Sequence, residues 1–422
     1  MKRAFALIGF VALFAGCGDD DGGREPQEVV VETFNVALAG AFIPYETERR
    51  QPIADAIAAA DSDVLCLQEV WTQEDKELIR DAAVDAYPHA VFFNDTLATT
   101  IDDPTDQDGN TPTPPTGFPC PEVEVSEGVT ILDQMNAAVD CLRDNCSTIE
   151  GSDEGRTESA DCAQQQCLGA VTDLLFGNAQ QQRCYACVVT QLPTAQLKDI
   201  RSSCAEVDNQ DLAFDGQNGV MLLSKHPLEP AEEWVLPGTW NRRTILRATA
   251  NLPNGAELEV YCNHLTPIFD NIAFPYTGQY GYGFTDARGW EAEQQLQAEK
   301  LINYVTSTSG DRPAVILGDL NAGHAYPAED IVAEGEPTLD LLETEFEPAY
   351  VSSYTPQCTF CSTNPVTDAE TSSWIDHILL YNLASDAVLS TARVYDEAVV
   401  PVDSQTVPLS DHFGMRSVIS VP

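Results

Sequence analysis

Asp63-Val64-Leu65-Cys66-Leu67-Gln68-Glu69-Val70 is the stretch on which the reading of the fold turns. Its apolar residues run on without the polar alternation of a half-exposed strand. Such a run predicts a strand buried on both faces, from Asp63 to Gln68, ending on the carboxylate of Glu69. Runs of the same kind recur outward from it. Val29 to Val36 lies upstream; Gly219 to Ser224, Thr244 to Ala250, Leu258 to His264, Ala314 to Gly318 and Trp374 to Leu380 lie downstream. Ile53 to Ala60 and Trp290 to Val305 carry the apolar spacing of packed helices. Strands interleaved with helices predict an α/β layered domain with polar residues at the strand ends.

The chain has 422 residues, 43% of them hydrophobic, which supports a substantial buried core. Its 67 acids against 21 bases give a formal charge of -46. That field repels polyanions and argues against a large basic face for nucleic acid. Lys2 and Arg3 precede an apolar run from Ala4 to Phe14, too short to span a membrane. Ala15-Gly16-Cys17 closes it, and the whole resembles a bacterial lipoprotein signal, although Phe14 stands where Leu or Val is usual. The resemblance implies export, acylation of Cys17 and anchoring to the cell envelope or surface. Residues 1–17 are then the signal, and 18–27 a short acidic tether.

Thirteen cysteines less Cys17 leave an even number, which in an exported chain favours disulfides. Eight of them fall at positions 120, 141, 146, 162, 167, 184, 187 and 204, after a Pro, Thr, Gly and Asp loop from Thr100 to Pro119. Residues 94–206 thus read as a disulfide-stapled, mostly helical insertion, with a zinc site at Cys184-x-x-Cys187 as the rival reading. It splits a domain made of residues 28–93 and 207–422. Cys358 and Cys361 are close enough to pair; Cys66 and Cys262, on buried strands, are either bridged to each other or simply small apolar residues.

The strand ends collect an unusual set of groups. Asn35 ends the first strand, Glu69 the second and Asn263-His264 another; Gly318-Asp319-Leu320-Asn321 follows Leu317, Asp376-His377 lies within Trp374 to Leu380, and Ser410-Asp411-His412 precedes the last apolar segment. Hard cations take oxygen ligands, which Glu69, Asp319, Asp411 and the asparagine amides supply. His264 and His412 can move protons near neutral pH. Gly318 is expected to allow a backbone turn near the substrate. Any one of these elements is commonly structural; the conjunction is what points to chemistry.

In that order the motifs resemble the endonuclease/exonuclease/phosphatase superfamily, the deoxyribonuclease I-like enzymes. The matching text is Thr33-Phe34-Asn35-Val36, Asp63 to Val70, Gly219 to Pro227, Asn263-His264-Leu265, Gly318 to Asn321, Ile375-Asp376-His377-Ile378 and Ser410-Asp411-His412. The resemblance implies a four-layer sandwich of two packed mixed sheets flanked by helices. It implies a phosphodiesterase dependent on Mg²⁺, or Mn²⁺ or Ca²⁺, held by Glu69, Asn35 and Asp411. His412 would be the general base oriented by Asp376, Asp319 and Asn321 would position water and a phosphate oxygen, and His264 would bind the phosphoryl group or protonate the leaving group. His377, where relatives often carry Tyr or Phe, reads as a packing residue, and the insertion has no counterpart in the minimal family.

Substrate is less legible. The aromatic loop from Ile268 to Thr285 could touch lipid, stack on a base or simply pack on the domain. Arg242, Arg243 and Arg247 are expected to pair with the abundant carboxylates rather than with phosphate. Three readings follow: a phospholipase C or sphingomyelinase-like phosphodiesterase, an extracellular nuclease, and a non-catalytic surface binding protein. The last has no reason to keep both imidazoles beside the carboxylates. No obligate protein partner is expected.

Overall fold

The computed structural model describes residues 25–93, 117–206, 212–271 and 273–422. The signal, Cys17, most of the tether and the loop up to residue 116 lie outside the described residues. In chain order the elements are β1 (Gln27–Leu38), α1 (Glu46–Ala58), β2 (Val64–Val70), α2 (Gln73–Ala83) and β3 (His89–Val91). A small hairpin, β4 (Glu124–Ser126) and β5 (Val129–Thr130), leads into α3 (Ile131–Asn145), α4 (Ala160–Leu175), α5 (Ala179–Gln191) and α6 (Leu197–Glu206). Then come β6 (Met221–Ser224), β7 (Leu228–Leu236), β8 (Arg243–Asn251), β9 (Glu257–His264), α7 (Ala287–Ser309), β10 (Ala314–Asp319), α8 (Glu336–Leu342) and β11 (Glu347–Pro348). The chain ends with β12 (Asp376–Tyr381), β13 (Val388–Val394), a second hairpin of β14 (Val400–Val402) and β15 (Gln405–Val407), and β16 (Gly414–Val421).

Two six-stranded sheets, ordered β13-β16-β1-β2-β6-β3 and β11-β12-β10-β9-β8-β7, stack face to face. Between them lie Val31, Cys66, Leu222, Leu246, Val260, Leu317 and Ile378. On the outer face of the first sheet, Leu65, Leu67 and Met221 pack against Ile53 and Ile57 of α1 and Ile79 of α2. On the other side Ile245, Tyr261 and Ile316 meet Leu301 and Val305 of α7 and Leu339 of α8. The result is the four-layer sandwich. The interior strands are continuous apolar runs because each is covered by a sheet on one face and helices on the other.

Helix starts follow from local chemistry. Thr130 and Asp133 close a capping box on α3, Asn178 and Gln181 another on α5, and Ser159 caps α4. Four bridges tie these helices: Cys120–Cys184, Cys141–Cys167, Cys146–Cys162 and Cys187–Cys204. Cys184 and Cys187 therefore go to different partners, which removes the zinc alternative. Cys358–Cys361 is closed, and Cys66–Cys262 ties β2 of one sheet to β9 of the other. The core of α3–α6 is continuous with Trp240, Tyr276 and Trp290; Phe269 and Phe274 pack into it, and Tyr280 is also buried. Tyr282 and Phe284 remain exposed.

Candidate active site

Strand direction gathers the site. β1 and β2 run parallel with Asn35 opposite Gln68, which sets Asn35 beside Glu69. β9 and β10 are also parallel, and Asp319 pairs across to His264 on one side and to Asp376 of antiparallel β12 on the other. His412 and Asp411 stand just before β16, which runs antiparallel to β1 and so begins where β1 ends. The carboxyl ends of four parallel strands, two per sheet, thus open onto one cleft of about 380 Å³, lined by Glu69, Arg243, His264, Asp319, Asn321, Asp411 and His412.

Inside it the groups touch. Asn35 donates from Nδ2 to Glu69 Oε1 at 3.2 Å and to Asp319 Oδ2 at 2.9 Å. Its Oδ1 accepts from Ala37 N–H at 3.0 Å, which fixes the amide's orientation. Asn35 thus bridges two carboxylates, which places it beside Glu69 at the expected cation position. His412 Nδ1 lies 2.8 Å from Asp376 Oδ2, and His412 Nε2 is 3.9 Å from Asp319 Oδ2. His264 Nε2 is 3.4 Å from the same oxygen. Asn321 N–H donates to Asp319 Oδ1 at 2.9 Å and its Nδ2 to Leu265 O at 2.9 Å. Ser410 Oγ donates to Asn35 O at 2.7 Å, while Asn364 Nδ2 donates to the carbonyls of Ser410 and Asp411, so the turn carrying Asp411 and His412 is held from both sides.

Glu69 and Asn321 both adopt left-handed backbone, with φ 58° and 48°. For a glutamate that conformation costs on the order of 1 kcal/mol or more, and such strain persists where surrounding structure imposes it for function. Gly318 makes no turn: it lies within β10, where a Cβ would stand 2.2 Å from Asn263 O. The glycine lets β9 and β10 approach closely, a correction to the turn expected there. His377 is a packing residue, with Nε2 2.8 Å from Ala322 O and Nδ1 2.5 Å from Tyr350 Oη.

Charge is unevenly satisfied. Burial disfavours a charged His412, but Asp376, Asp319 and Asp411 outweigh it and raise its pKa well above the usual value. Burial raises Asp376 to about 6, against the pull of His412. Both shifts cannot describe one shared proton; with three carboxylates around the ring, we place it on His412. His264 is held down by burial and by Arg243. Among the described residues, Asp319, Asp376 and His412 form the one His/Cys/Asp/Glu group whose ligand atoms all lie within 4.8 Å of one another. Since His412 and Asp376 already satisfy each other, that group reads as a proton relay. Glu69 and Asp411, both lining the cleft, are the oxygen donors left for a cation. Such an all-oxygen set fits a hard divalent ion, and the buried, unpartnered Nδ1 of His264, on the cleft wall, is a polar atom left for a ligand.

Arg243 departs from expectation. Arg247 does pair, with Glu259 at 2.8 Å and Glu232 at 3.1 Å. Arg243, by contrast, is buried with Nε and Nη1 making no hydrogen bond, its guanidinium 5.7 Å from the Trp71 ring. Burial pushes its pKa down to about 10. Its signal in the sequence was its place at the head of a buried strand adjoining that of His264. Arg49, not singled out in the sequence, is buried and donates to the carbonyls of Val36, Ala37, Pro44 and Leu409, pinning the end of β1 beneath the site.

A profile of the Endonuclease/Exonuclease/phosphatase family matches residues 33–412. A curated Drosophila melanogaster protein described as "Putative neutral sphingomyelinase" is 41% identical over 56 residues, covering 12% of this chain and only 13% of that protein. Among solved structures, sphingomyelinase C from Streptomyces griseocarneus aligns with a TM-score of 0.46 at 16% identity, covering 93% of this chain and 99% of the other. An endonuclease/exonuclease/phosphatase family protein from Bacteroides thetaiotaomicron aligns with a TM-score of 0.47 at 11% identity, covering 94% and 99%.

Proposed function

The chain belongs to the endonuclease/exonuclease/phosphatase family, metal-dependent phosphoric ester hydrolases, and on that premise we propose that it cleaves lipid phosphodiesters in the manner of a phospholipase C or sphingomyelinase. One observation carries the choice of lipid over nucleic acid. Arg243 is the only Lys or Arg among the described residues lining the cleft, which also presents Asp161, Asp368 and the aromatic rings of Phe42, Trp71, Phe214 and Phe274. A nucleic acid strand needs several cations along its backbone. A single phosphodiester between apolar or cationic alcohols needs one. The name of the Drosophila relative agrees with this reading over its short match.

Each residue's role follows from its contacts. Glu69 and Asp411 hold a divalent ion, Mg²⁺ with Mn²⁺ or Ca²⁺ as substitutes, which when bound neutralises the phosphate and polarises its bonds. His412 donates Nδ1–H to Asp376; the carboxylates that hold its second proton would be offset by a cation on Glu69 and Asp411, which would free Nε2 as the proton acceptor. A water between Nε2 and Asp319 Oδ2 can donate to both, which aims its lone pair at phosphorus. Asn321 braces Asp319. His264, once protonated, donates from Nδ1 to the phosphoryl oxygen or the departing alkoxide. Arg243, the cation on the cleft wall, binds the phosphate oxygens.

We further propose export by the segment 1–17 and lipid anchoring at Cys17. Six closed disulfides support an oxidising compartment, and radiolabelled palmitate incorporated by the native chain but not by Cys17→Ala is the test. We assign residues 28–93 and 207–422 to the catalytic domain and 94–206 to the insertion.

Hydrolysis of bis-p-nitrophenyl phosphate should vanish with EDTA and return with Mg²⁺; equal rates with and without metal reject the mechanism. Release of phosphocholine from sphingomyelin, set beside nicking of plasmid DNA, separates the lipid reading from a nuclease.

A further inference from the structure

Beside the catalytic cleft lies a second cavity, of about 110 Å³, walled by α4, α5, Asn271, Ala273 and Phe274. Its lining includes Leu142, Ala163, Val171, Val188, Leu192 and Phe274, and no charged side chain reaches it. In a chain of formal charge -46, that is a selective exclusion. Tyr185 directs its hydroxyl to Ala273 O at 2.8 Å, so its polar atom is spent on the wall itself. Phe42, Gln164 and Phe274 line the cavity and the catalytic cleft alike, which makes the two spaces neighbours that one molecule can bridge. The walls are stiff: Cys141–Cys167 and Cys146–Cys162 tie α3 to α4, and Cys120–Cys184 and Cys187–Cys204 anchor α5. Apolar cavities of about 150 Å³ held open by rigid walls stay dry and take up hydrocarbon.

We propose that this cavity seats the hydrocarbon chain of the substrate while its phosphate lies against Arg243 and His412. The disulfide-tied insertion then acts as the specificity element of the enzyme. This inference rests on the phosphodiesterase reading above and adds what it selects. The occupant is one alkyl chain covalently continuous with the phosphate in the cleft, because no charged side chain lines the cavity and its two amides, Gln164 and Asn271, both stand where it meets the cleft.

The test uses the full chain and a series of monoalkyl phosphates, methyl, butyl, hexyl and octyl, as inhibitors of bis-p-nitrophenyl phosphate hydrolysis below their micellar concentrations. Inhibition should tighten about fourfold per methylene until the cavity fills, on the order of 100-fold in all. Ala163→Trp, which fills the cavity from α4 without touching the cleft, should leave basal hydrolysis and methyl phosphate inhibition unchanged and abolish the gain from longer chains. Val171→Trp serves where the first variant folds poorly. An inhibition constant independent of chain length in the native chain overturns the proposal, as does equal weakening of methyl and octyl phosphate in the variants. Absence of bis-p-nitrophenyl phosphate hydrolysis strikes the phosphodiesterase reading instead; chain-length dependence is then read by calorimetric titration of the same alkyl phosphates, where a flat series again overturns the cavity assignment.

Discussion

Arg243→Met should make the protein more stable and less active at once. In the folded chain the guanidinium is buried with two of its nitrogens unbonded, and its pKa falls from 12.5 to about 10 despite the nearby Glu69, Asp319 and Glu293. At about 1.4 kcal/mol per pH unit, holding that charge in place costs roughly 3 kcal/mol. The sign is clear: folded Arg243 releases its proton more readily than unfolded Arg243, so at pH 7 the charged side chain opposes folding, and relief comes only as pH rises through 10. Methionine keeps the length and the contact with Trp71, losing a cation–π contribution of about 1 kcal/mol. A net gain of about 2 kcal/mol is expected, read as a higher midpoint in chemical denaturation. Activity should move the other way. A charge-assisted contact to phosphate contributes about 1.5–3 kcal/mol, so kcat/KM for bis-p-nitrophenyl phosphate should fall about 10- to 150-fold. Lower stability together with activity within twofold of native would show that Arg243 is structural and refute the reasoning.

The remaining predictions probe the relay, the inter-sheet bridge and the pH response. His412→Ala should lower kcat by about 10²- to 10⁴-fold and also lower the melting temperature, because it strands the buried Asp376 carboxylate. Adding Asp376→Asn should restore the melt and not the activity; a single variant retaining a tenth of native kcat removes His412 as base. Replacing Cys66 and Cys262 together by alanine opens a loop of sequence separation 196 and should cost on the order of 5 kcal/mol of stability by the chain-entropy argument; a loss under 1 kcal/mol, measured by denaturant titration, contradicts it. Lys76, buried with Nζ donating to Asn218 O at 2.7 Å, has its pKa lowered by burial from 10.5 to about 8. Between pH 8 and 10.5 the unfolded chain then binds more protons, so native stability should rise relative to Lys76→Met by up to about 3 kcal/mol. Parallel pH curves for the two proteins would disprove the shift.

The amino-acid order alone determined most of the interior of the sandwich, β16 between β13 and β1 excepted. β1, β2, β6, β8, β9, β10 and β12 are legible as apolar runs because both their faces are covered, so burial leaves no polar alternation to confuse them. It also placed Glu69, His264, Asp319, Asp376 and His412 at or beside strand ends, where side chains escape the core. What it did not show were the four strands at the sheet edges, β3, β7, β11 and β13. An edge strand meets water along one side, so β7 carries exposed acids from Glu229 to Glu232 and β13 exposes Leu389, and neither reads as a buried run. Partnership was likewise decided only in three dimensions. Cys66 and Cys262 are 196 residues apart in sequence and become neighbours because the two sheets stack. Arg247 finds Glu259 across an antiparallel register, while Arg243, four residues earlier on the same strand, lines the cleft with Nε and Nη1 unbonded. Composition can say that acids abound; only the fold decides which cation is hydrogen-bonded to one and which is buried without such a bond.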